Sequence, residues 1–171
     1  NLDAVLHLGD YIYEYANGEY GDGSASGREQ GETETLTLKD YRERYALYRR
    51  DSDLQAAHQR HPFIVVWDDH ESADNSWMDG AGNHNEGEGE WSDREQAARK
   101  AYFEWMPIRE NVEDSSLIYR RFQFGQLLDL MMLDTRLNGR SEQVEVGDGS
   151  RFDESRTLLG FDQEDWLYSQ L

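Results

Sequence analysis

The chain has 171 residues, with 36 acidic side chains against 17 basic ones and a formal net charge of −19. Such a surface repels nucleic-acid backbones and anionic membranes, and it repels phosphate groups too unless bound cations reverse the local field. Cysteine is absent, so disulfides and thiolate ligands are excluded within the chain, and no apolar stretch approaches membrane-spanning length.

The length suits one domain with a real core. Because the sequence starts at Asn1 on a strand-like run and stops at Leu171 inside a helical pattern, residues 1–171 are expected to form a single partial domain cut at both ends. Only Lys39 and Lys100 are lysines; acid-rich, lysine-poor composition resembles that of proteins from saline habitats.

Asp3 to Leu8 reads as a short buried strand that discharges into Gly9-Asp10-Tyr11-Ile12-Tyr13. Asn17 to Glu34, rich in Gly, Ser and Glu, is loop. Thr37 to Arg50 places Leu38, Tyr41, Tyr45 and Tyr48 on one helical face, and Thr37 with Asp40 forms a capping-box pattern. Asp53 to Arg60 predicts a second short helix that His61-Pro62 ends. Phe63 to Trp67 is the best second strand and runs into Asp68-Asp69-His70-Glu71.

Asp74 to Glu90 is a long loop of the kind that is usually functional or disordered. Ser92 predicts the N-cap of a helix carrying Ala97, Ala98, Ala101, Tyr102 and Trp105, with Pro107 just beyond it. Leu117–Phe124 and Leu127–Leu133 read as a hairpin turning at Gly125-Gln126, whose second strand ends in Asp134-Thr135-Arg136. Asn138 to Glu154 is again polar loop, and Asp162 to Leu171 predicts a last helix with Trp166 and Leu167 inward. Strands alternating with helices define an α/β protein with a mixed sheet.

Three strands thus end in polar clusters, and in α/β sheets ligands collect at the carboxyl ends of strands. Asp10 can bridge two cations, one oxygen to each. Tyr13 becomes a good ligand only if a trivalent ion displaces its proton; its counterpart reading is an amphipathic Tyr packed beside a Gly-Asp turn. Asp68, Asp69 and Glu71 crowd His70 and would raise its pKa, suiting it to stabilise charge on a phosphate or protonate a leaving alkoxide; a solvated acidic turn is the alternative. The Arg136 fork suits phosphate oxygens, or an ion pair with Asp134 or another acid. His84 is either a lid residue or an exposed loop histidine. His7 reads as core packing, and the Tyr41–Tyr45–Tyr48 stripe as core.

Leu6-His7-Leu8-Gly9-Asp10-Tyr11-Ile12-Tyr13-Glu14-Tyr15, Val66-Trp67-Asp68-Asp69-His70-Glu71, Ala101-Tyr102-Phe103-Glu104-Trp105-Met106-Pro107 and Leu133-Asp134-Thr135-Arg136 together resemble the alkaline phosphatase D (PhoD-like) family, in the family's order and over essentially the whole chain. The resemblance implies a calcineurin-like metallophosphoesterase core of mixed β-sheets flanked by helices, with the metal site at the strand edge. The Gly-Asp-x-x-Tyr motif is also similar to that of purple acid phosphatases.

By that resemblance Asp10 is the metal-bridging carboxylate, Tyr13 the ligand of Fe(3+), and Asp69 a ligand of Ca(2+), in the place where the wider superfamily has Asn; calcium favours charged oxygen ligands. His70 matches a substrate-side His. Arg136 has no superfamily motif behind it, and its phosphate-binding role rests on its chemistry alone. The implied activity is hydrolysis of small phosphate mono- and/or diesters by a metal-activated water, in a periplasmic or extracellular protein. The alternative is a catalytically inactive, acidic calcium-binding or interaction module on the same fold. Three metal ligands are too few for two metal shells, so the 171-residue chain alone is expected to be nearly inactive.

Overall fold

A computed structural model describes residues 2–21, 24, 27 and 29–171. Part of the expected loop over Asn17–Glu34, namely Asp22, Gly23, Ala25, Ser26 and Arg28, lies outside the described residues, as does Asn1.

The chain is α/β. Its elements run β1 (Val5–His7), α1 (Leu38–Tyr48), α2 (Ser52–Arg60), β2 (Phe63–Val65), α3 (Trp91–Trp105), β3 (Arg120–Phe124), β4 (Leu128–Met132) and α4 (Phe161–Gln170), with a 3-10 turn at Gly149–Phe152. Among the described residues the parallel and antiparallel pairings fall in separate two-stranded sheets, not in one mixed sheet: β1 pairs parallel to β2, and β3 antiparallel to β4. Arg120 bridges the two, its Nη2 donating to Val65 O at 2.6 Å.

Local signals set most boundaries. Thr37 and Asp40 form the expected capping box: Thr37 Oγ1 accepts from Asp40 N at 3.3 Å, and Asp40 Oδ2 accepts from Thr37 N at 2.8 Å. The second helix starts earlier than its hydrophobic pattern, because Asp51 Oδ1 accepts from Asp53 N and Leu54 N at 3.0 and 2.8 Å. The expected cap at Ser92 is corrected: α3 begins at Trp91, with Glu90 in the cap position and no side-chain cap. The Trp91 indole, donating to Met78 O at 3.2 Å, holds that residue within the first turn.

β1 is also not the buried strand expected: among the described residues it pairs with β2 alone, and Val5 and His7 are half-buried while Leu6 is 51% exposed. In α4 the buried residue is Gln163, and Trp166 and Leu167 are half-buried.

Aromatic packing builds the core. Tyr41 and Tyr45 of α1 and Ala98, Ala101 and Tyr102 of α3 are buried together with Ile12, Val65 and Trp67. The rings meet edge to face, Trp67 on Tyr102 at 5.3 Å between centroids and Tyr45 on Tyr102 at 6.5 Å, the geometry favoured by ring quadrupoles. Of the buried polar tips, the Tyr41 hydroxyl donates to Ser72 O and accepts from Arg94 Nε at 3.1 Å, whereas the Tyr45 and Tyr102 hydroxyls and Trp67 Nε1 have no hydrogen-bond partner among the described residues. Arg94 also pairs with Glu34 and donates to Asn83 O at 2.7 Å, tying the long loop to α3. Helices α1 and α3 thereby form a base beneath the β1–β2 strand ends.

Candidate metal centre

Parallel pairing in the register Val5↔Phe63, Leu6↔Ile64, His7↔Val65 brings the carboxyl ends of β1 and β2 side by side. The segments that leave them touch at Gly9, whose φ is +103°; a Cβ there would sit 2.2 Å from Asp68 N. Only glycine fits, both for the backbone angle and for the space. Asp10 follows at φ +55°, a left-handed conformation that Asp tolerates better than most residues.

Glu71 clasps both segments from below. Its Oε2 accepts from Asp10 N at 3.0 Å and from Asp68 N at 2.8 Å, and its Oε1 accepts from Tyr11 N. Burial raises its pKa to about 7 despite these three donors.

On top of this clasp, one ligand atom each from Asp10, Asp69 and His70 lies within 4.8 Å of the others. The Tyr13 hydroxyl donates to Asp10 Oδ2 at 3.2 Å, and its ring stacks on His70 at 4.2 Å. Asp69 Oδ2 accepts from Asn75 N at 2.7 Å, which aims the carboxylate. From the end of β4, Arg136 reaches across: Nε donates to Asp68 Oδ1 at 2.5 Å, and Nη1 lies 3.5 Å from Asp69 Oδ2.

The polar ends of three strands therefore meet, although they belong to two sheets. Asp134 holds the Arg136 turn by its backbone, its Oδ1 accepting from Arg136 N and Leu137 N at 2.8 and 2.9 Å. Gln163 of α4 locks the same turn, accepting from Asp134 N at 2.8 Å and donating to Asp134 O at 2.7 Å. Of the two alternatives for the pairing of Arg136, the partner is Asp68, not Asp134.

The electrostatics suit a hard cation. Burial, with the charges of Asp69 and Asp68, pushes the Asp10 carboxyl up, against the pull of His70. Asp10 Oδ1 is buried without a hydrogen-bond partner, an acceptor left open toward the cluster. The Tyr13 phenol is raised strongly, by burial and then by Asp10 and Tyr20. A cation between these oxygens would reverse both shifts, since opposite charge favours the ionised form. The donor set therefore fits a metal.

His70 is held at about 9: burial lowers it, but the hydrogen bond and charge of Glu14, followed by Asp69 and Asp10, outweigh that effect. The sequence expectation that Asp68 and Glu71 crowd this ring is thus corrected; Glu71 turns to backbone amides and Asp68 to Arg136.

Glu14 is the residue that sequence reasoning missed. It is 0% exposed, and its Oε2 lies 2.7 Å from His70 Nδ1. An acid within the apolar and aromatic run Ile12-Tyr13-Glu14-Tyr15-Ala16 was the available signal, because an acid is rarely fully buried without a partner. His84 is not the exposed loop residue that was one of its two readings. It is half-buried, its Nε2 3.2 Å from Gly89 O and its ring edge-on to Trp91. His7 is half-buried against Tyr11.

The chain is thus an α/β scaffold with an acid–histidine cluster at a parallel strand edge. The model of the PhoD-like phosphatase family matches residues 1–171, and the chain belongs to that family. It is 41% identical to alkaline phosphatase D of Bacillus subtilis (strain 168), an alignment covering 99% of this chain and 30% of that protein. A solved structure described as that of PhoD superposes with a TM-score of 0.85 at 40% identity, over 99% of this chain and 34% of the other. The chain thus spans about a third of the length of these relatives. No helix among the described residues is long and apolar enough to cross a membrane.

Proposed function

We propose that the protein carrying this chain hydrolyses small phosphate mono- and/or diesters with metal assistance. The observation that carries the reading is the convergence of Asp10, Asp69 and His70 within 4.8 Å in a member of a phosphatase family. In this reading Asp10, Tyr13 and Asp69 would hold the cations, Tyr13 taking Fe(3+), Asp69 taking Ca(2+) and Asp10 shared between them. Cations held there would supply Lewis-acid stabilisation of the phosphoryl oxygens and would acidify the attacking water.

The protein's own groups handle the remaining charge. His70 is assigned to the phosphoryl oxygens, because Glu14 on Nδ1 favours the protonated ring and leaves Nε2 to donate. Arg136 is anchored through Nε on Asp68, while its buried Nη1 has no hydrogen-bond partner and can donate to an equatorial oxygen. No covalent protein nucleophile is required. The same reading, with the family resemblance, gives a periplasmic or extracellular location.

The test uses the full-length protein with a chromogenic phosphate ester and metal analysis. Asp10→Asn is expected to lower turnover by at least about 100-fold, the scale of losing a group essential to charge stabilisation, and to reduce bound metal. Tyr13→Phe is expected to abolish visible charge-transfer absorption. Full turnover by metal-free Asp10→Asn protein would sink the mechanism. Bound calcium without turnover in the wild type would instead establish the inactive calcium-binding module. The isolated 171-residue chain is expected to be nearly inactive.

A further inference from the structure

The carboxylate of Glu14 makes three hydrogen bonds. Oε2 takes His70 Nδ1 at 2.7 Å, while Oε1 accepts from Asp74 N at 2.7 Å and from Asn83 Nδ2 at 3.1 Å. The backbone around it is fixed by other means: Arg44 donates to Tyr13 O, and Thr35 N donates to Glu14 O at 2.9 Å. The side chain is therefore not needed to place its own strand-end segment.

The plane of the His70 ring is set by its neighbours. Tyr13 stacks on it at 4.2 Å and Tyr15 lies against it at 5.5 Å. Stacking does not distinguish the two flipped states of an imidazole, which exchange a ring nitrogen for a ring carbon at each edge. A hydrogen bond does: with Nδ1–H given to an acceptor, Nε2 is the nitrogen left for chemistry. Among the described residues Nε2 has one ion-pair contact within 4.0 Å, Asp74 Oδ1 at 3.8 Å, too far for a hydrogen bond.

We infer that Glu14 is the positioning residue for His70, selecting the ring state that presents Nε2 to the substrate. This rests on the phosphoesterase reading above. Glu14 touches neither substrate nor cation; it acts through His70. Glutamine cannot replace it, because its single carbonyl oxygen can serve His70 Nδ1–H or the Asp74 amide but not both, and its NH2 then faces a donor.

The test is a double-mutant cycle on full-length, metal-loaded protein with a chromogenic phosphate ester. Glu14→Gln is expected to lower kcat by about 10- to 100-fold, the range for groups that orient a functional histidine, with metal content unchanged. In a His70→Ala background the same change should cost less than about threefold, because the residue through which it acts is gone. Asn83→Ala, which removes the loop contact and spares the one to His70, should show no such coupling to His70. If Glu14→Gln does not fold, Glu14→Asp, which keeps the charge and draws it back from Nδ1, is read through the same cycle.

Equal fold losses in both backgrounds, loss of metal in Glu14→Gln, or wild-type kcat in either Glu14 variant would overturn the inference and leave the phosphoesterase reading standing. A wild type without turnover would remove both.

Discussion

The strand-end site and the β3–β4 hairpin place their residues in opposite ways. At the site the acids are inside: Glu14, Glu71 and Asp134 are buried. On the hairpin, apolar residues are outside, with Leu127 94% and Leu128 52% exposed. The difference lies in what each region must satisfy. A buried carboxylate is tolerated where donors surround it, and Glu71 and Glu14 each accept three hydrogen bonds. The hairpin is fixed by backbone pairing from Arg120↔Met132 to Phe124↔Leu128, by a turn with Gly125 at φ +60°, and by one face whose burial grows from exposed Leu128 through half-buried Leu130 to buried Met132. Its other face and its tip have no such demands. Tolerance to substitution should follow this contrast.

Gly9→Ala should have the largest effect. The added methyl meets the Asp68 backbone, which cannot move without carrying Asp69, and the left-handed angle adds strain. A loss of about 4 kcal/mol is expected, combining backbone strain and overpacking, and denaturant titration would measure it. A stable Gly9→Ala protein with full activity would show that the strand ends do not have to touch.

An intermediate effect concerns His58, which lies under the site. Its Nε2 is 2.9 Å from the Tyr11 hydroxyl and its ring stacks on Phe63 at 3.7 Å. Burial, then the charges of Arg49 and His7, lower its pKa from 6.5 to about 4. The unfolded chain therefore binds a proton there that the folded chain does not. The associated stability is present above pH 6.5 and is lost as pH falls through about 4. His58→Phe keeps the stacking and removes the titration, so its unfolding free energy should fall less steeply than the wild type's between pH 6.5 and 4. Parallel pH profiles would mean that this histidine is not held neutral.

The smallest effect is expected at the hairpin tip. Leu127→Lys should change stability by no more than about 0.5 kcal/mol, as exposed positions do. A larger loss by thermal or urea unfolding would show that the exposed leucine is covered in the full-length protein.

Much of this was legible beforehand, for local reasons. The Thr37–Asp40 capping box, the tyrosine stripe on α1 and the turn between β3 and β4 depend on neighbours within a few residues, and each stands where the pattern puts it. Asp10, Asp69 and His70 were readable as one cluster because each follows an apolar, strand-like run. The shifted start of α3 was not readable: a tertiary contact of Trp91, not the local cap preference of Ser92, decides it. Nor was the division of labour among the three acids at the β2 exit. Asp68, Asp69 and Glu71 are equivalent by spacing, yet one binds an arginine, one faces the cluster and one clasps backbone amides.

By itself the sequence determined the α/β class, the strand ends that carry polar chemistry and the family the chain resembles, since these depend on local hydrophobic pattern and residue order. The tertiary structure decided that two sheets rather than one bring those ends together, that Arg136 is anchored by Asp68, and that Glu14, distant in sequence from His70, fixes which nitrogen that ring exposes. The reason is physical: a buried charge takes its role from the donors that packing brings to it, and those donors come from segments far apart in the chain.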